Sequence, residues 1–191
     1  MASIYRLLLL FYTAFIGYMK RDKLLIERNS IIYRNSNIVI RSGGHIRIGK
    51  NCSIGRRKKS SLIGLYHMTS LVAIGTQANI QIGNNVCLNG VAINAKSHIS
   101  IGDNCRIASG VMILDHNGHE VESLNCTVGT DSALPIHIGN NVWIGLNAII
   151  LKGCVIPDNC IVAAGSVVKG KFEPNSIIQG NPGVVIRKIK I

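Results

Sequence analysis

Stepping by six from Ile138 lands on Ile144, Ile150, Ile156, Val162 and Val168, and every stop is β-branched and aliphatic. Four residues beyond each of the first five stands a small side chain: Val142, Ala148, Cys154, Cys160 and Ser166. The residue after the aliphatic is often small or turn-prone, as at Gly139, Gly145, Pro157 and Ala163. The beat returns upstream at Ile101, Ile107 and Ile113 with Cys105 and Val111, and at Ile82 and Leu88 with Val86 and Ala92. It is heard again from Ile74 to Ile80 with Ala78, and from Ile48 to Ile54 with Cys52. It slips between Ile80 and Ile82, between Leu88 and Ile101, and across Leu114 to Leu134. A helix of 3.6 residues per turn cannot produce strict sixes. Three short strands and three corners in eighteen residues can: the result is a triangular prism whose coils stack as parallel strands about 4.8 Å apart. The expected fold is all-β, a left-handed parallel β-helix with a short N-terminal helix and a loop protruding at about 115–134.

The composition agrees. Hydrophobic residues are 47% and charged residues 16%, which excludes a disordered chain. Ile and Val suit a pleated surface, and the abundant Gly and Asn tolerate turns. None of the six cysteines forms a CxxC pair, so a zinc ribbon is not indicated and no metal is expected. The repeat places Cys52, Cys105, Cys154 and Cys160 at the small interior position, as inert thiols; Cys87 and Cys126 have no such explanation.

The net charge of +12 favours an anionic partner: an acidic membrane surface, a phosphorylated cofactor or an acidic glycan. Its bland reading is solubility. The densest run, Arg56-Arg57-Lys58-Lys59, is too short and too poor in aromatic neighbours for nucleic-acid readout, so no nucleic-acid partner is expected.

The ends depart from the rhythm. Residues 1–30 read as an apolar and basic helical segment, and 31–191 as the solenoid with its tail. Residues 3 to 19 are apolar and are followed by Lys20, Arg21 and Lys23. Two uses are open: interfacial membrane contact, or packing as a cap or against a neighbouring subunit. The segment is short for a span, and packing is preferred. No small-residue cleavage site follows Leu7 to Ile16, so the expected location is the cytoplasm, with or without peripheral contact at the inner face of the membrane. From Lys169 to Ile191 the hexads fade into a final coil and a basic tail.

Three stretches carry a family resemblance: Ile136-His137-Ile138-Gly139-Asn140-Asn141-Val142-Trp143-Ile144-Gly145, Ala164-Gly165-Ser166-Val167-Val168-Lys169, and Gly180-Asn181-Pro182. Through them the chain, over roughly 36 to 191, resembles the hexapeptide-repeat acyltransferases. The likeness is greatest to sugar O-acetyltransferases of the maltose/galactoside type and of polysaccharide biosynthesis. The resemblance implies a homotrimer, acetyl-CoA lying in the groove between two subunits, a sugar or glycan acceptor, and a catalytic histidine on a loop leaving the prism.

The break at Asp115-His116-Asn117-Gly118-His119 is such a loop by position. Acetyl transfer needs a base for the acceptor hydroxyl, donors for the developing oxyanion and a groove that aligns both substrates. His116 aligns with the family's histidine and suits the base, since imidazole accepts and returns a proton near neutrality. A surface histidine bonded to backbone is its bland counterpart. His119 and Asp115 are expected to contact acceptor, although Asp115, pointing opposite to its neighbour, need not touch His116. Asn89 stands in place of the family's acceptor-site asparagine, or satisfies a corner. Lys96 stands where the sugar enzymes carry acidic residues and suits an anionic or differently oriented acceptor.

On the donor side the resemblance points to Trp143 packing against the CoA arm. Gly145, Ala163 and Ser166 are expected to line the groove. Lys169, Lys171 and Arg187 are expected to meet phosphates or simply face water. Serine and antibiotic acetyltransferases share the architecture, as do zinc-dependent γ-type carbonic anhydrases. For the latter, His98 and His116 lie eighteen residues apart, close to one coil. A non-catalytic scaffold is the remaining alternative.

Overall fold

The computed structural model describes residues 2–20, 22–55, 67–120 and 131–190. Arg21, the basic run at 56–59, Cys126 and part of the 115–134 loop lie outside them. Among the described residues the strands form three sheets, the faces of a left-handed triangular prism. The first face stacks Leu24–Ile26, His45–Ile48, Asn79–Ile82, His98–Ile101, Ile136–Ile138 and Val155–Ile156. The second stacks Ile31–Ile32, Ser53–Ile54, Cys87–Leu88, Arg106–Ile107, Trp143–Ile144 and Ile161–Val162, then Ser176–Gly180 and Gly183–Lys188. The third stacks Ser36–Arg41, Thr69–Ile74, Ala92–Ala95, Met112–Leu114, Ile149–Ile150 and Val167–Val168. The chain visits the faces in turn, so each coil hydrogen-bonds to the next in parallel register.

Identical side chains climb the core in columns. Ile46, Ile80, Ile99 and Ile136 form one, and Ile48, Ile82, Ile101 and Ile138 the next. All eight are buried, each contributing about 1.5–3 kcal/mol of apolar burial. Ile80 and Ile82 thus share a strand, and the apparent slip between them is the period-two alternation of a longer strand. Two hexad positions are corrected. Ile74 is 37% exposed, because Leu71 and Ala73 of its strand point inward. Val91, not Ala92, fills the interior beyond Leu88, because that corner is one residue shorter.

The corner between the first and second faces is stitched by asparagine. Asn51, Asn85, Asn104, Asn141 and Asn159 take left-handed backbone (φ 56–59°), which asparagine tolerates better than most residues. Their amides bond coil to coil, Asn85 Nδ2 to Asn104 Oδ1 at 3.0 Å and Asn141 Nδ2 to Asn159 Oδ1 at 3.1 Å. The four predicted interior thiols are buried. Cys52 and Cys105 each donate to a carbonyl one coil on, of Gly83 at 3.0 Å and Gly139 at 3.1 Å.

Both open ends are covered. Helix α1 (Ala2–Met19) packs Leu9, Thr13 and Ile16 on the first coil. The Thr13 hydroxyl accepts from the Ile32 N–H at 2.9 Å, satisfying an edge group that no strand reaches. At the other end the tail is a β-hairpin: Gly183–Lys188 turns back antiparallel on Ser176–Gly180. The hexads fade there because antiparallel pairing has no six-residue beat.

Candidate active site

Two edges of the prism carry the expected site residues. The first lies where the third face turns into the first. Here the strand Met112–Leu114 ends and Asp115 dips into the corner, fully buried. Its two oxygens accept from the backbone N–H groups of Lys96 at 2.9 Å and Ser97 at 2.8 Å. This corrects the expectation that Asp115 contacts acceptor: both oxygens are used inside the chain, and the carboxylate holds one coil's corner to the next. Leu114 is paired with Asn94, so Lys96 and His116 stand one above the other in neighbouring coils.

His116 is half-buried, and both ring nitrogens are shielded from solvent with no hydrogen-bond partner among the described residues. Burial lowers its pKa below the ordinary imidazole value, and the nearby Lys96 ammonium lowers it further. Asp115 and Asp131 oppose the shift. The ring is therefore neutral near pH 7, with one nitrogen free to accept a proton and the other to donate a hydrogen bond.

The returning limb of the loop is fastened beside it. Asp131 accepts from the Asn117 N–H at 2.6 Å and pairs with Lys152 Nζ at 2.6 Å. The Lys152 hydrogen bond, then that of Asn117, holds the carboxyl of Asp131 below its usual range. Lys152 also reaches the Ser132 carbonyl at 3.2 Å, and the Leu134 N–H donates to the Asp115 carbonyl at 2.8 Å. Sequence reasoning missed this latch: nothing in the hexad pattern couples residues 131 and 152. His119 lies beyond it, exposed.

Along the same edge, register places the corner of Lys152 over that of His116, and the corner of Lys169 over both. Lys171 continues onto the first face beside Val155. Lys169 and Lys171 are exposed, and two coils, or about 10 Å, separate Lys169 from His116.

The second edge joins the second and third faces and carries Asn89. Asn89 is half-buried, and its Oδ1 is shielded from solvent with no partner among the described residues. Beside it lies a groove of about 560 Å³ that includes Met68, Gly90, Met112 and Asn147. Trp143 points outward from the second face and is 55% exposed. It sits in a row with Arg106, Ile161, Ile177 and Arg187. Ala163 is half-buried at the corner above.

Two donor-side expectations are corrected. Ser166 is buried, and its hydroxyl accepts from the Gly180 N–H at 3.1 Å, so it secures the terminal hairpin. Gly145 is buried under the next coil, where an added Cβ would stand 2.6 Å from the Ala164 nitrogen. Its lack of a side chain serves coil stacking. The ring of His98 stands beside that of His137, tilted by 46° with centroids 5.7 Å apart. No group of three or more potential ligands gathers among the described residues.

The two edges are separated by a strand of the third face. Four residues of strand, Ala92–Ala95, span about 13 Å. Within one chain, His116 and Lys169 therefore belong to one edge and Asn89 to another, while Trp143 stands on the second face.

Comparison with known proteins agrees with this architecture. The bacterial transferase hexapeptide family (six repeats) matches residues 135–170, and the hexapeptide repeat of succinyl-transferase matches 79–115. Galactoside O-acetyltransferase of Escherichia coli K12 is 41% identical over 113 residues, 59% of this chain and 55% of that enzyme. The chain thus spans about half the length of that relative. WbbJ of the same organism, named as a putative lipopolysaccharide biosynthesis O-acetyl transferase, is 33% identical over 182 residues, 88% of this chain and 85% of that one. Among solved structures, a galactoside acetyltransferase in complex with coenzyme A aligns over 88% of this chain and 65% of its own. The identity there is 27% and the TM-score 0.55.

Proposed function

This chain belongs to the bacterial hexapeptide-repeat transferases, and on that footing we propose that it is an acetyl-CoA-dependent O-acetyltransferase. Its acceptor is a sugar hydroxyl, in surface-polysaccharide biosynthesis, and it works as a homotrimer. The observation that carries the reading is the pair of orphaned side chains. Leaving a buried polar atom unpaired costs about 1–3 kcal/mol, and His116 and Asn89 leave three such atoms without partners among the described residues. Sugar hydroxyls supply what they lack: one donates to the unprotonated imidazole nitrogen, another donates to the amide oxygen, and a hydroxyl oxygen accepts from the imidazole N–H.

The distance between the edges supports the trimer. Juxtaposing the His116 edge of one subunit with the Asn89 edge of its neighbour, beside that neighbour's second face and its Trp143, gives one groove containing base, acceptor contact and aromatic wall. Acetyl-CoA supplies an activated thioester to that groove. Lys169 and Lys171, on the His116 edge, and Arg187, beyond Trp143, are suited to its phosphates. Neutral His116 takes the proton of the acceptor hydroxyl as its oxygen attacks, and returns it to the departing thiolate. Lys96, one coil below His116, offers a cation to an acidic group on the acceptor. The latch of Asp131 to Asn117 and Lys152 fixes the loop that carries the base.

The test is acetyl transfer from acetyl-CoA to a panel of glycans, read by mass spectrometry. His116→Ala is expected to lose at least about a hundredfold in rate with the trimer mass unchanged. Full activity in that variant removes the base. Failure of the intact protein to bind acetyl-CoA in a calorimetric titration removes the enzyme reading and leaves a scaffold.

A further inference from the structure

Helix α1 caps the solenoid with one side and leaves the other open. Ile4, Leu7, Leu8, Phe11, Phe15 and Met19 follow the spacing of a single helical face, and each is 55–68% exposed. A helix that is apolar all round is ordinarily buried all round. Here Leu9 and Thr13 are covered, and the opposite face is not. Among the described residues no helix is long and apolar enough to span a membrane.

Charge identifies what fits this face. Residues 1–59 hold 13 of the 21 Lys and Arg but only two of the nine Asp and Glu, so +11 of the net +12 lies in the N-terminal third of the sequence. The remaining residues, which include both candidate edges from Asn89 onward, are nearly neutral. The described helix contains no acidic residue. Arg6, Lys20, Lys23 and Arg28 are exposed on it or just after it. A second copy of this chain meeting the face would bring the same positive end to the contact, and the two would repel. An anionic surface is attracted instead, and an apolar face flanked by cations suits a bilayer rather than a free anion.

We propose that the exposed face of α1 is a membrane-docking surface, lying in the plane of an anionic bilayer with Ile4, Leu7, Phe11 and Phe15 at the acyl boundary and the neighbouring Arg and Lys among the headgroups. The prism then stands on the membrane by its N-terminal coil. This docking does not depend on the acetyl-transfer reading.

The experiment is flotation of the full chain with vesicles of phosphatidylcholine alone, or phosphatidylcholine mixed with phosphatidylglycerol. Binding to the anionic vesicles is expected to exceed binding to the neutral ones by about tenfold or more. It should weaken in about 1 M salt, where the Debye length falls to about 3 Å. Phe11→Glu with Phe15→Glu is expected to abolish binding while mass and melting stay unchanged. Should that variant misfold, Phe15→Trp gives a second readout: its fluorescence should shift to the blue on adding anionic vesicles. Absence of binding by the folded protein overturns the proposal. So does binding that survives in the folded Glu variant, or fluorescence of the Phe15→Trp variant that anionic vesicles leave unmoved. A larger assembly that the Glu variant dissolves also overturns it, by making the occupant a second copy.

Discussion

Replacing Asp115 by Asn separates a residue that holds the corner from one that contacts substrate. The Asp115 carboxylate is fully buried and accepts from two backbone N–H groups, of Lys96 and Ser97. Asparagine keeps one acceptor oxygen and turns an amide NH2 toward the other N–H. One charge-assisted bond is lost, and a buried donor is left facing a donor. Bonds to charged groups contribute about 1.5–3 kcal/mol, and the orphaned N–H adds to the cost, so about 2–4 kcal/mol is expected. For a chain of this size each kcal/mol moves the melting point by about 2–4 °C, giving a fall of roughly 4–16 °C. Differential scanning fluorimetry reads it directly. Below the transition, kcat is expected to fall, because the corner aligning Lys96 with His116 has loosened, while the acceptor KM changes less than about twofold. An unchanged melting point with an acceptor KM raised about tenfold would refute the reasoning and return Asp115 to the acceptor.

Three further outcomes are expected. Gly145→Ala pushes a Cβ to within 2.6 Å of the Ala164 nitrogen, so the coils must part; thermal melting should show a loss of about 1–3 kcal/mol. Burial pushes the thiols of Cys105 and Cys154 up to about 11 and 12, and raises Cys52 and Cys160 as well. An aromatic disulfide reagent near pH 8 should therefore titrate no more than two of the six cysteines rapidly in the native protein, and all six after denaturation. The base must be unprotonated to act, and burial followed by Lys96 lowers the pKa of His116. The acid limb of kcat/KM should consequently lie below about 6.5, with activity lost as pH falls through it. Lys96→Ala removes the ammonium and should move that limb upward without carrying it past the ordinary value.

The repeat made the prism legible because each coil meets the same constraint: an aliphatic side chain inward and a residue that can turn at the corner. It misled where a strand ran longer than two residues. Thr69–Ile74 is six residues long, and counting sixes through it placed Ile74 inside when alternation puts it outside. The terminal hairpin was illegible for a related reason, since its pairing is antiparallel and local. Among the candidate residues, His116 was singled out by the family resemblance at the point where the rhythm breaks and the loop leaves the solenoid; periodicity alone marks the loop and not the role of its histidine. Asp115 and Ser166 were misassigned for one shared reason: sequence shows that a polar group is present but not which backbone N–H it answers. The Asp131–Lys152 pair was out of reach altogether, since it closes a loop whose path the repeat does not dictate.

The division of the candidate residues between two edges has a consequence for selection on this chain. A hexad on either edge must satisfy its own coil, and Gly145 and Asp115 show that it does so first. The groups left over are those whose polar atoms the coil does not use: His116 at one edge and Asn89 at the other. Stacking does not explain their shielded atoms, which have no partner among the described residues, because strands above and below them pair without their help. A cost of this kind is retained where something outside the chain offsets it. In the proposed trimer a groove shared between subunits would offset both at once, which a single prism, with about 13 Å of strand between its edges, does not.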